Sequence, residues 1–193
     1  MPDYMTPFTR TVDLATGVIR DAHAVTTRRL SHMKGLYADS AAEEALLDDD
    51  PLIYQVFEAT CNPEVEGQLR YSTTIIHPGK VGDEFFMTKG HYHAKPDRSE
   101  LYFGLKGEGV LLMQTPEGEV NLQFMSPGSA AYVPPFWGHR TVNTGKGDFV
   151  FLAVYPADAG YDYQTIETEG FARIVVARGG SYRLAPNPRR APA

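Results

Sequence analysis

Only one cysteine, Cys61, occurs in 193 residues, which rules out an intramolecular disulfide and any thiolate metal cluster. A metal would have to be held by nitrogen and oxygen. Positive charge is scarce as well: 18 Lys and Arg stand against 24 Asp and Glu, a formal charge of -6, so the chain has no basic field for nucleic acid or an anionic membrane. An anionic substrate would need donors placed locally. No apolar run approaches the roughly 20 residues of a membrane span. The opening "MPDYMTPFTRTVDLATG" also lacks the charged-then-apolar build of a signal peptide. These absences predict a cytoplasmic protein with no nucleic-acid partner and no membrane partner.

Helical patterning is nearly missing too. The exception is "ADSAAEEALLDDDP", where Ser40 is placed to cap a short helix over Ala41 to Leu47 and Pro51 prevents its continuation. What fills the chain instead is a succession of short segments rich in Val, Ile, Phe and Tyr, among them "LIYQVFEAT", "LRYSTTIIHPG", "DEFFMTKGHYH", "ELYFGLKGEG", "EVNLQFMSPG", "HRTVNTG", "DFVFLAVYP" and "ARIVVARGG". Glycine and proline separate them, and "KGEG" and "TPEGE" read as hairpin loops. So many short strands predict an all-β sandwich or barrel. Residues 1–50 read as an N-terminal extension packed on the barrel or on a partner subunit, 51–180 as the barrel, and 181–193 as a mobile, proline-rich tail.

Within "TKGHYHAKPDRSELYF", His91 and His93 are two apart, so on a strand both project to one face while Tyr92 points away. Pro96 and Asp97 can turn the chain so that Glu100 opens a neighbouring strand. "PPFWGHRTVN" offers His139 as a third nitrogen at the head of another. Three histidines and a carboxylate suit a divalent first-row ion, Fe²⁺, Mn²⁺, Co²⁺ or Ni²⁺, with Zn²⁺ less natural. The His-X-His pair alone is a weak signal that fits hydrogen-bonded core histidines better than a metal site. His23, His32 and His77 lack such company and read as surface or capping groups, and Trp137 is placed to wall the metal pocket.

Two motifs in order resemble those of the cupin superfamily: His91, His93, Glu100 and Gly107, then Gly128, Pro134, His139 and Asn143. The resemblance implies a jelly-roll barrel, or double-stranded β-helix, with the N-terminal strands and the short helix outside it. Three departures stand out. Phe85 occupies the position of the first motif's glycine, Phe136 that of the second motif's middle glycine, and the gap from His93 to Glu100 is long. Together with "HPGKVGDEFFMTKGHYH", "ELYFGLKGEGVLLMQTPEG" and "VYPADAGYDY", the chain from about Val12 to Ile166 is similar to the archaeal-type, cupin glucose-6-phosphate isomerases.

That likeness implies a homodimer that interconverts glucose 6-phosphate and fructose 6-phosphate. It implies one divalent metal per subunit, Fe²⁺ first among the candidates, on His91, His93, Glu100 and His139. Thr74, Thr88 and the Gly90 backbone match phosphate-binding positions; Tyr102, Tyr155 and Tyr163 match tyrosines lining the sugar site. Tyr161 stands where the family pattern has a histidine before "DY", which leaves that residue's part in ring opening or proton relay open. Glu100 is the acidic residue beside the metal and is ligand, base, or both, and the hydrogen moves as a proton through an enediolate or as a metal-assisted hydride. A cupin dioxygenase and a non-catalytic sugar-binding cupin use the same ligand set.

Overall fold

The computed structural model describes residues 5–60 and 62–190; Cys61, residues 1–4 and the tail's residues 191–193 lie outside the described residues. Thirteen strands are ordered among them: β1 (Ala24–Arg29), β2 (Leu52–Glu58), β3 (Leu69–Ile76), β4 (Lys80–Val81), β5 (Glu84–Phe85), β6 (Glu100–Lys106), β7 (Gly109–Gln114), β8 (Val120–Met125), β9 (Ala130–Val133), β10 (Gly138–Asn143), β11 (Phe149–Pro156), β12 (Arg173–Arg178) and β13 (Ser181–Pro186). They form a six-stranded sheet in the order β1-β2-β3-β11-β6-β9, a three-stranded sheet β10-β7-β8 and a four-stranded sheet β13-β12-β5-β4. All strand pairs are antiparallel, so the all-β expectation holds.

Side-chain alternation sets the inside of the barrel. Along β6, Glu100, Tyr102 and Gly104 face inward while Leu101 and Phe103 face out. The main core, including Tyr102, Leu111, Met125, Val142, Phe149 and Phe151, fills the space between the sheets. A second cluster of Ile19, Phe57, Ala59, Ile75 and Val150 lies elsewhere. Residues around 12–22 cover it, fastened by the Thr73 hydroxyl, which donates to Gly17 O at 2.5 Å, and by Lys106 Nζ, which donates to Ala15 O at 2.9 Å. β1 extends the six-stranded sheet as its outer strand, beside β2.

Several local expectations change for identifiable reasons. The helix α1 spans Ser40–Leu46, and its cap is Asp39, whose carboxylate accepts from Ala42 N at 2.9 Å, rather than Ser40. "TPEGE" closes the β7–β8 hairpin, with Thr115 N donating to Glu119 O at 2.9 Å. "KGEG" instead carries the chain from one sheet to another, because β6 and β7 do not pair. "DEFFMTKGHYH" is not one strand; past β5 it runs beside β10 through isolated bridges Met87–Val142 and His91–His139. The tail begins with β13, which pairs with β12 along its whole length, so residues 181–186 are anchored where a mobile segment was expected. A second helix, α2 (Gln164–Glu169), was not foreseen and ends at Gly170.

The turn before β10 holds a backbone feature of this particular chain. Phe136 has φ 70°, the left-handed conformation that glycine adopts freely, and its N–H donates to Pro96 O at 2.6 Å. Its side chain is 57% exposed, so packing does not compensate for the strain. Phe136→Gly is expected to raise stability by about 0.5–1 kcal/mol, the relieved left-handed strain less the added freedom of the unfolded chain. Chemical denaturation would register this as a higher midpoint at unchanged slope.

Candidate active site

A cavity of about 150 Å³ opens inside the barrel. Its sheet wall is built from inward positions two residues apart: Thr26 and Arg28 on β1, Tyr54, Val56 and Glu58 on β2, Ser72 and Thr74 on β3, Phe151, Ala153 and Tyr155 on β11, Glu100 and Tyr102 on β6. The facing wall is the segment Thr88, Lys89, Gly90 and His91 with His139 beside it, and Tyr161 and Tyr163 stand at the mouth.

The four ligand candidates converge. One donor atom from each of His91, His93, Glu100 and His139 lies within 4.8 Å of the others. His91 and His139 exchange both backbone hydrogen bonds, at 3.1 and 3.0 Å, which sets their imidazoles side by side. Tyr92 turns the other way, and its ring fills the space where a Cβ on residue 138 would sit, so Gly138 lets the two segments close. His93 Nδ1 donates to Arg98 O at 2.9 Å and His139 Nδ1 lies 3.3 Å from Trp137 O, an arrangement that leaves each Nε2 with its lone pair toward the centre. His93 Nε2 is 3.3 Å and His139 Nε2 3.1 Å from the same Glu100 oxygen. The nitrogens His91 Nε2 and His139 Nε2 are buried and make no hydrogen bond of good geometry. Buried lone pairs without a proton donor, gathered at a carboxylate, fit a divalent cation.

The electrostatics agree with this reading. Burial alone would raise the Glu100 carboxyl, but the imidazoles of His139 and His93 outweigh it and hold the group at about 2. Burial, then His139, pushes His91 well below its ordinary value, so it stays neutral. At His93 burial acts downward too, yet the Glu100 hydrogen bond and charge prevail and the imidazole is raised.

Thr74, Thr88, Gly90, Tyr102, Tyr155, Tyr161 and Tyr163 line the cavity. Tyr102 stacks on Phe151 at 4.7 Å and meets His139 edge-on at 5.8 Å. Tyr161 is edge-on to His91 at 4.9 Å and stacked on Tyr163 at 5.6 Å. Burial raises all four tyrosine hydroxyls, with the Glu100 charge next at Tyr102. They are therefore neutral donors near pH 7.

Other placements differ from expectation. Thr88 lies along β10, where its oxygen accepts from Thr141 N at 3.0 Å and its own proton remains to donate. Trp137 contributes its carbonyl, while its ring lines a separate hollow with Tyr132 and Pro134. Lys89 sits 5.1 Å over the Tyr163 ring and pairs with Glu167 of α2. His32 caps a 3-10 turn by accepting from Arg29 N, and His77 pairs with Asp148, as surface and capping histidines should. Thr26, Arg28, Tyr54, Glu58 and Ser72 were missed. Period-two alternation was visible in "AVTTRR" and "LIYQVFE", but nothing local told which face met the cavity.

An antiparallel barrel with three histidines and a glutamate gathered on its inner surface defines a cupin. The family described as "Glucose-6-phosphate isomerase (GPI)" matches residues 27–189. The chain is 54% identical over 187 residues to the glucose-6-phosphate isomerase of Thermococcus gammatolerans, covering 97% of this chain and 98% of that one. It is 52% identical to that of Pyrococcus abyssi, covering 96% and 98%. The chain belongs to the glucose-6-phosphate isomerase family, in its cupin form.

If the cluster binds a cation, Mn²⁺ added to chelator-treated protein at a hundred times its Kd should stabilise the fold by about 2.7 kcal/mol. Thermal melting would read this, and His139→Ala should abolish it. The shift should weaken at lower pH, because His93, with its raised pKa, must release a proton to become a ligand. An equal shift in His139→Ala would place the ion elsewhere.

Proposed function

We propose that this protein interconverts glucose 6-phosphate and fructose 6-phosphate, as a cytoplasmic enzyme using one Fe²⁺ per subunit. The observation that carries this reading is one cavity, in a chain of this family, that is lined both by members of the four-residue cluster and by hydroxyls, a glycine and the cations Arg28 and Lys89. The phosphate is held by the hydroxyls of Thr74 and Thr88 and the amide of Gly90, with Arg28 and Lys89 supplying positive charge that a chain of net charge -6 must provide locally.

The sugar then extends toward Glu100. Tyr102, Tyr155, Tyr161 and Tyr163, neutral and oriented into the cavity, donate to sugar oxygens and help hold the opened chain. Glu100 is ionised throughout the neutral range, the form that can take the C2 proton. The electron pair of the broken C2–H bond forms the C1–C2 double bond as the C1=O1 π pair moves onto O1, giving an enediolate. The O2–H proton then passes to O1, the C2=O2 bond forms, and the C1–C2 π pair takes the proton back from the same carboxyl at C1. His91, His93, Glu100 and His139 would hold a divalent ion, which would supply Lewis-acid stabilisation of negative charge on the sugar oxygens. Water is kept from the reaction by the buried floor of Tyr102, Phe151 and Ala153.

A coupled dehydrogenase assay is expected to show anaerobic formation of glucose 6-phosphate from fructose 6-phosphate, lost with a chelator and restored by Fe²⁺. Glu100→Gln should lower kcat by about 10²-fold or more. Product formed in deuterated water should carry solvent deuterium at the migrating position; full retention of the substrate hydrogen would instead make the transfer a hydride shift. Oxygen uptake without isomerisation in fully metallated protein would overturn the function itself.

The outer face of β6 and its neighbour supports a homodimer. Leu101 and Phe103 point out of the barrel, Tyr132 pairs opposite Leu101, and all three are exposed apolar side chains. Light scattering should give twice the chain mass, and Leu101→Asp together with Phe103→Asp should give the monomer.

A further inference from the structure

Arg140 carries no role so far, yet it is 3% exposed, an unusual place for a guanidinium. It sits on β10 between His139 and Thr141. On the facing segment, Thr88 pairs with Thr141: Thr88 N donates to Thr141 O at 2.9 Å, and Thr141 N donates to Thr88 Oγ1 at 3.0 Å. His91 pairs with His139 through reciprocal backbone bonds. Two residues, Lys89 and Gly90, therefore stand opposite one, Arg140, which is a β-bulge.

The bulge has a consequence for the cavity. Thr88 and His91 are three positions apart, so regular alternation would send them to opposite faces. The extra residue restores both to one face, and both line the cavity. The distortion is held in two ways. Gly90 takes φ 76°, and a Cβ there would lie 2.8 Å from the Phe171 ring and 2.9 Å from Arg140 Cβ. Arg140 NH2 donates to Lys89 O at 2.6 Å, satisfying a carbonyl of the bulge, while the guanidinium stacks 4.7 Å from the Phe171 ring. Glu84, itself 3% exposed and accepting from Ala38 N, is the buried carboxylate that opposes its charge.

We infer that Arg140 is a positioning residue for the anion-binding wall: by clamping the Lys89 carbonyl it holds the bulge that aims Thr88 and the Gly90 amide at the substrate's phosphate while leaving His91 on the metal. The inference rests on the isomerase reading for its kinetic arm, but binding of inorganic phosphate and metal content test it without turnover.

Arg140→Met keeps the bulk and the apolar stem while removing the donor. It is expected to raise KM for fructose 6-phosphate and the dissociation constant for inorganic phosphate together, by about tenfold. The kcat should stay within about twofold and metal stoichiometry should be unchanged, because the His91–His139 pairing is untouched. Arg140→Lys, which retains a cationic donor, should fall between the two. Gly90→Ala tests the same element with Arg140 intact, since its methyl is forced against Arg140 and Phe171; it should weaken phosphate binding as well, and it decides the question should Arg140→Met fail to fold. Unchanged phosphate binding in a folded Arg140→Met or in Gly90→Ala would overturn the inference. So would loss of metal and kcat at unchanged KM, since that would place the effect of Arg140 at His139. If the unaltered protein binds phosphate and metal but does not isomerise, the functional reading fails while the phosphate measurements still judge Arg140.

Discussion

The pairing of His91 with His139 is the contact on which the site depends. It is a backbone pairing, two N–H···O=C bonds between segments far apart in the chain, and the imidazoles follow because their backbones are fixed. A metal centre made only of side chains on flexible loops would lose ordering entropy with every ligand. Here β6 delivers Glu100, β10 delivers His139, and the paired segment delivers the other two histidines, so that cost is met by the fold before any ion arrives. His93 is held in turn through its contact with Arg98 O, and Arg98 is itself fixed by the buried carboxylate of Asp158, which also engages Lys95. Asp158 precedes the loop of Tyr161 and Tyr163, so one carboxylate ties the histidine segment to the tyrosine segment.

Charge is distributed to suit an acidic protein proposed to take an anion. The cavity wall of Thr74, Thr88 and Gly90 offers neutral donors, which need no counter-ion when buried. The cations near it are constrained: Lys89 by Glu167, and Arg140, behind the wall, by a backbone carbonyl, an aromatic face and Glu84. The tyrosines are kept protonated by the same burial that makes their rings good packing surfaces. Binding, orientation and protonation state thus come from inward-facing positions of the six-stranded sheet together with the segment that faces them and the tyrosines at the mouth.

The departures from the superfamily motifs show what a pattern of residue types does and does not encode. Phe85 stands at an expected glycine with its backbone outside the left-handed region and its side chain packed against the core. Phe136 stands at another in the conformation that favours glycine, φ 70°. Tyr161 replaces an expected histidine and still reaches the cavity, edge-on to His91. Asp39, by contrast, took the helix cap from Ser40 because a cap is decided by which oxygen reaches a free amide, and either residue type is suitable.

The one-dimensional pattern carried the all-β character and offered His91, His93, Glu100 and His139 as one donor set, because alternation, turn residues and close spacing are local properties of short stretches; the lining tyrosines and threonines followed only from the resemblance to a known family. Only the tertiary structure decided that β1 brings Thr26 and Arg28 into the cavity, that Ser181–Pro186 is a paired strand, and that Lys89 and Gly90 bulge against Arg140. Each of those depends on which strand lies beside which, and in what register. Strand pairing is made by backbone groups that are the same in every residue, so the choice of partner is settled by the packing of the whole barrel.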